Sequence, residues 1–152
     1  MRKILFRGKR IDNGELVYGY FADMGNKACI IKSYESYWDE DCKMLRCRPS
    51  DIIPVDFSTA GQFTGLTDKN GKKIFEGDII SVEFELDREP ELGEPTKWYE
   101  NFSVVFDEEH HCWGTKISKD EAGEWLYEYD DDCATVVGNI YDNPEMLKNK
   151  VD

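Results

Sequence analysis

The sequence predicts a mainly β protein: an antiparallel sheet or small, partly open β-barrel with a short C-terminal helix. Three observations lead there. Apolar residues recur with period two, turn residues punctuate the chain at short intervals, and helical periodicity is almost absent.

Taken in order, Leu16, Tyr18 and Tyr20 alternate with Val17, Gly19 and Phe21 just after Asn13-Gly14. That dipeptide suits a type I′ hairpin turn, in which both central residues take positive φ. Asn70-Gly71 is a second turn of the same kind. Ile74 and Phe75 then lead through Glu76-Gly77-Asp78 into a strand over Ile79–Leu86. There Val82, Phe84 and Leu86 face one side and Glu83, Glu85 and Asp87 the other, the pattern of a half-buried strand. Arg88 to Pro95, with two prolines and a glycine, reads as an exposed loop. Phe102, Val104 and Phe106 share a strand face, and Trp125, Leu126, Tyr127 and Tyr129 form another aromatic-rich run. At the end, Asn143 can cap a helix, Pro144 suits its first position, and Glu145 to Lys148 continue it. The expected core includes Phe63, Ile79, Val82, Phe84, Val104 and Phe106.

A chain of 152 residues fits one domain, here 1–152, with an acidic insertion or loop region at about 88–132. Its net charge is −13, and the acids are concentrated. Glu83–Glu109 holds ten acids against Arg88 and Lys97, and Asp120–Asp132 holds seven with no base. The first ten residues instead carry Arg2, Lys3, Arg7, Lys9 and Arg10. A pI near 4.6 argues against broad contact with phosphate backbones, so no direct nucleic-acid partner is expected. The longest apolar runs, such as Val104-Val105-Phe106, are too short to cross a bilayer, and no membrane partner is expected. At the N-terminus Arg7 interrupts Ile4-Leu5-Phe6, which leaves no secretory apolar core. The five cysteines are odd in number and widely spaced, so a cytoplasmic protein with five reduced, metal-free thiols is expected.

Several segments bear a partial likeness to motifs that carry chemistry. Gly65 to Lys73 superficially suggests a phosphate loop, but its two glycines stand one residue too far apart and Lys73 replaces the required hydroxyl residue. The calcium-loop opening at Asp68-Lys69-Asn70-Gly71 lacks its acidic closure. Cys42, Cys47 and His111 are the best zinc-ligand candidates, yet their spacing fits no common pattern. Small core cysteines and histidines in a hairpin loop account for them more simply. Asp68, Asn70, Glu76 and Asp78 are candidate surface residues, against which stands a structural role for Glu76 and Asp78, capping backbone N–H groups where a strand starts. No nucleophile elbow or zinc-protease motif occurs, and no cofactor is expected.

The segment GQFTGLTDKNGKKIFEGDIISVEF (Gly61 to Phe84) resembles the signature of the YopX-like family of phage and prophage proteins. RKILFRGKRIDNGELVYGYF (Arg2 to Phe21) resembles its first hairpin, and VVGNIYDNPEML (Val136 to Leu147) its closing segment. Arg88 to Asp132 has no counterpart in the resemblance. The likeness implies a mostly antiparallel β fold with barrel-like packing, a short terminal helix and self-association. It implies no established catalysis and brings no functional residues with it.

The leading expectation is a non-enzymatic protein-interaction module in the cytoplasm of a bacterial host. Its expected partners are further copies of itself and an unidentified host or phage protein. Two alternatives belong to other classes. One is an acidic decoy that occupies a DNA-binding protein, suggested by the two acidic segments. The other is a metal-dependent hydrolase built on clustered acids with His110 or His111.

Overall fold

The computed structural model describes residues 4–25, 27–117, 122–129 and 133–147. The chain divides into two compact units, residues 1–63 and 64–152.

In the first unit the strands are β1 (Phe6–Lys9), β2 (Leu16–Asp23), β3 (Ala28–Asp39), β4 (Met44–Val55) and the start of β5 (Gly61–Thr67). They pair antiparallel in the order β4-β3-β2-β1-β5. The β1–β2 loop differs from the expected type I′ turn. Only Gly14 takes positive φ (74°), and the Gly14 N–H reaches the Arg10 carbonyl at 3.0 Å. Four loop residues relieve Asn13 of the left-handed conformation that a two-residue turn imposes. Val17, Ala28, Ile30 and Val55 form the buried core, with Phe6, Phe21 and Ile53 packed against it. Gly19 sits on this face because a side chain is excluded there: a Cβ would lie 2.4 Å from the Ile31 carbonyl oxygen.

In the second unit β5 continues beside β6 (Lys73–Phe75). The other strands are β7 (Asp78–Glu85), β8 (Lys97–Asp107), β9 (Cys112–Lys116), β10 (Ala122–Trp125) and β11 (Ala134–Asn139), in the order β10-β9-β8-β7-β11. Strand β7 pairs antiparallel with β8 from Ile79↔Ser103 to Glu85↔Lys97, and with β11 on its other edge. Ile80, Val82, Phe102, Val104, Leu126 and Val136 belong to the core cluster.

The alternation-based expectations hold for Phe63, Ile79, Val82 and Val104, all buried, while Phe84 is half-buried. Phe106 is different. It shares a face with Phe102 and Val104 but is 41% exposed, because that face runs past the core towards the β8–β9 turn. There it meets the opposite residue, Trp113, edge to face at 5.0 Å. The aromatic run at Trp125 also departs from a strand. Strand β10 stops at Trp125, and the chain turns through a 3-10 segment, Leu126–Glu128, that places Leu126 in the core.

Three further expectations are corrected. Among the described residues the strands form two open antiparallel sheets rather than a closed barrel. The C-terminal helix is one 3-10 turn, Pro144–Leu147, with the Met146 N–H bonded to the Asn143 carbonyl at 3.0 Å. Four residues offer too few bonds to offset α-helix nucleation. The expected continuation to Lys148 lies outside the described residues. Finally, the 88–132 region is not one loop, since β8, β9 and β10 fall within it. The segment before β8 is a loop, and a turn joins β8 to β9.

Core position, not residue type, sets the cost of truncation. Ile80→Ala, at a fully buried site, is expected to destabilise by about 3 kcal/mol, and Phe106→Ala by only about 1 kcal/mol. Urea unfolding followed by tryptophan fluorescence checks the difference.

Candidate functional site

The signature segment resolves into turn chemistry. Asp68 opens the β5–β6 turn and is buried, with 3% of its surface exposed. Its Oδ1 accepts the N–H groups of Asn70 and Lys72, both at 2.9 Å, and its Oδ2 accepts the Val136 N–H at 3.0 Å. One carboxylate therefore ties the turn to β11. Burial opposes its charge, but the three backbone donors outweigh that cost and hold its pKa below the usual 3.8. Gly71 alone takes positive φ (77°) in this turn, so it too is not type I′. Asp78 is likewise buried, and its Oδ2 accepts the Phe75 N–H at 2.7 Å across the Glu76-Gly77 turn. Asp68 and Asp78 thus lie inside rather than on the surface, where the alternating pattern could not show that their oxygens serve the backbone. Asn70 is exposed and Glu76 half-buried.

The zinc-ligand candidates occupy exposed turns and strand positions. Cys42 lies in the β3–β4 turn and accepts from the Arg46 guanidinium at 3.3 Å. Cys47 sits on β4 opposite Ser36. His111 is exposed in the β8–β9 turn with φ of 55°. Among the described residues no group of three or more His, Cys, Asp or Glu side chains is arranged to hold a metal. Neighbouring His110 takes a turn role, its backbone N–H bonding Asp107 Oδ1 at 2.8 Å and its ring lying against Trp125. Glu124 and Glu128 form a carboxyl pair that spacing did not single out. Loss of solvation and a hydrogen bond to Glu124 raise the Glu128 pKa.

The prominent surface feature belongs to the first unit. Strand β2 pairs with β3 only from Ala28 to Ile31, whereas β3 and β4 stay paired out to Asp39↔Met44. Residues 32–51 therefore form a two-stranded arm beyond the cover of β2. On one face, Glu35 pairs with Arg48 and Asp39 with Arg46, at N–O distances of 2.6 and 2.5 Å. Backbone N–H groups of the turn, chiefly that of Cys42, together with Arg46, keep the Asp39 pKa below its usual value. The other face carries the cross-strand pairs Tyr34–Pro49, Ser36–Cys47 and Trp38–Leu45, with no charge among them. Trp38 is 54% exposed and Leu45 64%. Tyr34 also contacts Tyr20 of β2, ring to ring at 5.7 Å, which carries the aromatic stripe onto the sheet. Strand β4 is the edge of its sheet, and its prolines, Pro49 and Pro54, are of the residue type that discourages strand addition at an edge. What the arm offers is a face, not an edge.

Comparison with known proteins agrees with this description. The family model for YopX protein matches residues 5–148, nearly the whole chain. The chain belongs to the YopX family. Among solved structures, protein EF1440 from Enterococcus faecalis is similar in fold, with a TM-score of 0.60 and 21% identity over 97% of this chain and 100% of that one. No match is found among curated proteins.

The Asp68 contacts generate a pH signature. Its folded pKa lies below the unfolded value of 3.8, so its contribution to stability is present above about pH 4 and is lost as pH falls through the lowered value. Asp68→Asn is expected to cost about 2–3 kcal/mol at neutral pH and to flatten this acid-side loss. Denaturant midpoints measured between pH 2 and pH 7 test both.

Proposed function

We propose that this YopX-family chain is a non-enzymatic, self-associating protein-interaction module of phage or prophage origin, working in the cytoplasm of a bacterial host. One observation carries the reading: the uncharged face of the arm, with Tyr34, Trp38 and Leu45 exposed. A two-stranded ribbon is marginal in water by itself, and apolar residues on it gain stability when another surface covers them. Aromatic side chains displayed on a strand pair are the composition of interface cores. A contact there brings no like charges together, which matters for a chain carrying −13. Phage or prophage origin is supported by the resemblance of the Gly61–Phe84 segment. No helix among the described residues is long and apolar enough to cross a membrane.

Light scattering tests the reading. The chain is expected to exceed its monomer mass of 17.7 kDa at micromolar concentration, with only partial weakening at high salt because apolar burial supplies most of the affinity. Replacing Trp38 and Leu45 by Ser is expected to lower the association constant by at least about tenfold while leaving the far-ultraviolet circular dichroism unchanged. A mass of 17.7 kDa at every concentration would refute self-association.

A further inference from the structure

The first unit carries a concave feature, and the second unit carries a projection of matching chemistry. A pocket of about 550 Å³ lies beside the β1–β2 loop. Ala28 and Val55, both buried, line it together with exposed Ile11 and Phe57. Its charged lining residues are Lys9, Arg10, Lys27 and Asp56, three cations against one anion in a chain that is otherwise strongly acidic. Arg10 is ion-paired with Asp12, its Nε donating at 2.8 Å, which leaves Lys9 and Lys27 as the cations of the rim. The Asp56 carboxylate accepts from the Ser58 N–H and hydroxyl, which directs it to its own turn. The pocket is therefore apolar inside and cationic around it. That chemistry takes a short acidic segment bearing one apolar side chain.

Such a segment exists between β7 and β8. Glu91, Leu92, Gly93 and Glu94 form a tight turn closed by the Glu94 N–H on the Glu91 carbonyl at 3.0 Å, with Gly93 at φ 85° as a type II turn requires. The Glu94 side chain accepts from Arg88 at 2.6 Å and from the Glu91 N–H at 3.0 Å, so the loop is braced from within. At its tip Leu92 is completely exposed. Glu89, Glu91 and Glu94 against Arg88 leave the loop at −2, opposite in sign to the single positive charge that remains at the pocket once Arg10 is paired with Asp12. A leucine held at the tip of a rigid acidic turn has lost most of the conformational freedom that docking would otherwise cost.

We propose that the Glu89–Glu94 turn of one copy docks in this pocket of a second copy, Leu92 against the exposed Ile11 and Phe57, with the glutamates facing Lys27. The contact joins two different surfaces and so is heterologous. It rests on the self-association reading and names a contact separate from the arm.

Sedimentation velocity on the full chain tests it, using Leu92→Asp and Lys27→Glu. Both side chains are exposed, and circular dichroism verifies that each variant is folded. Each is expected to associate at least about tenfold more weakly than wild type. A mixture of the two, in which one chain keeps its loop and the other its pocket, is expected to associate more strongly than either alone. Wild-type self-association with both variants unchanged would overturn the loop-and-pocket contact and leave the self-association reading standing. An effect of only one variant would also overturn the pairing. A wild-type chain that stays monomeric would overturn both.

Discussion

The second unit depends on strand β7 being paired on both edges. Its N–H and C=O groups are spent on β8 on one side and β11 on the other, so the strand can be buried without leaving polar groups unmatched. That is why Ile79, Ile80 and Val82 can all be nearly inaccessible although they point to alternate faces. The turns on either side serve this strand. Asp78 ends the Glu76-Gly77 turn by accepting the Phe75 N–H, and Asp68 holds the preceding turn against Val136 of β11. Buried carboxylates are costly unless backbone donors satisfy them, and here the donors are the same groups that a tight turn would otherwise leave unpaired.

The first unit shows what happens when that condition lapses. At the base of β3, where β2 still pairs with it, Ala28 to Ile31 are buried. Beyond Ile31 the partner stops, and from Lys32 onward β3 has one neighbour and little cover. The ribbon persists as far as Asp39 with cross-strand ion pairs on one face. Exposed pairs of this kind contribute little individually. The aromatic residues on the opposite face are the more consequential feature, because their burial depends on another surface. The proposed role as a contact protein rests on this imbalance.

Charge has a comparable division of roles. Most acids near β7 and β8 occupy solvated positions, and several are locally matched, as Glu83 is by Lys97 at 2.6 Å and by the Tyr99 hydroxyl. The large net charge therefore does little to specify the fold. Between molecules, a net charge of −13 disfavours contacts that bring acids together.

The sequence by itself determined the class of fold and much of its core. Period two at Val82 and Phe84 marked a strand, and glycines at 14, 71 and 77 marked turns, because both signals are local consequences of backbone geometry. It also carried the family, through the Gly61–Phe84 segment. Only the tertiary structure decided the rest. Phe106 looks like a core residue by pattern, yet it lies where the sheet has outrun its cover. Asp68 and Asp78 look like surface residues by type, yet distant or turn N–H groups draw them inside. The arm face was invisible for a similar reason: alternation records which side chains share a face, but not whether anything lies opposite. Leu92 and the Lys27 pocket were hidden too, since exposure and concavity arise from segments far apart in sequence. Periodicity is a property of a strand, whereas burial is a property of its neighbours.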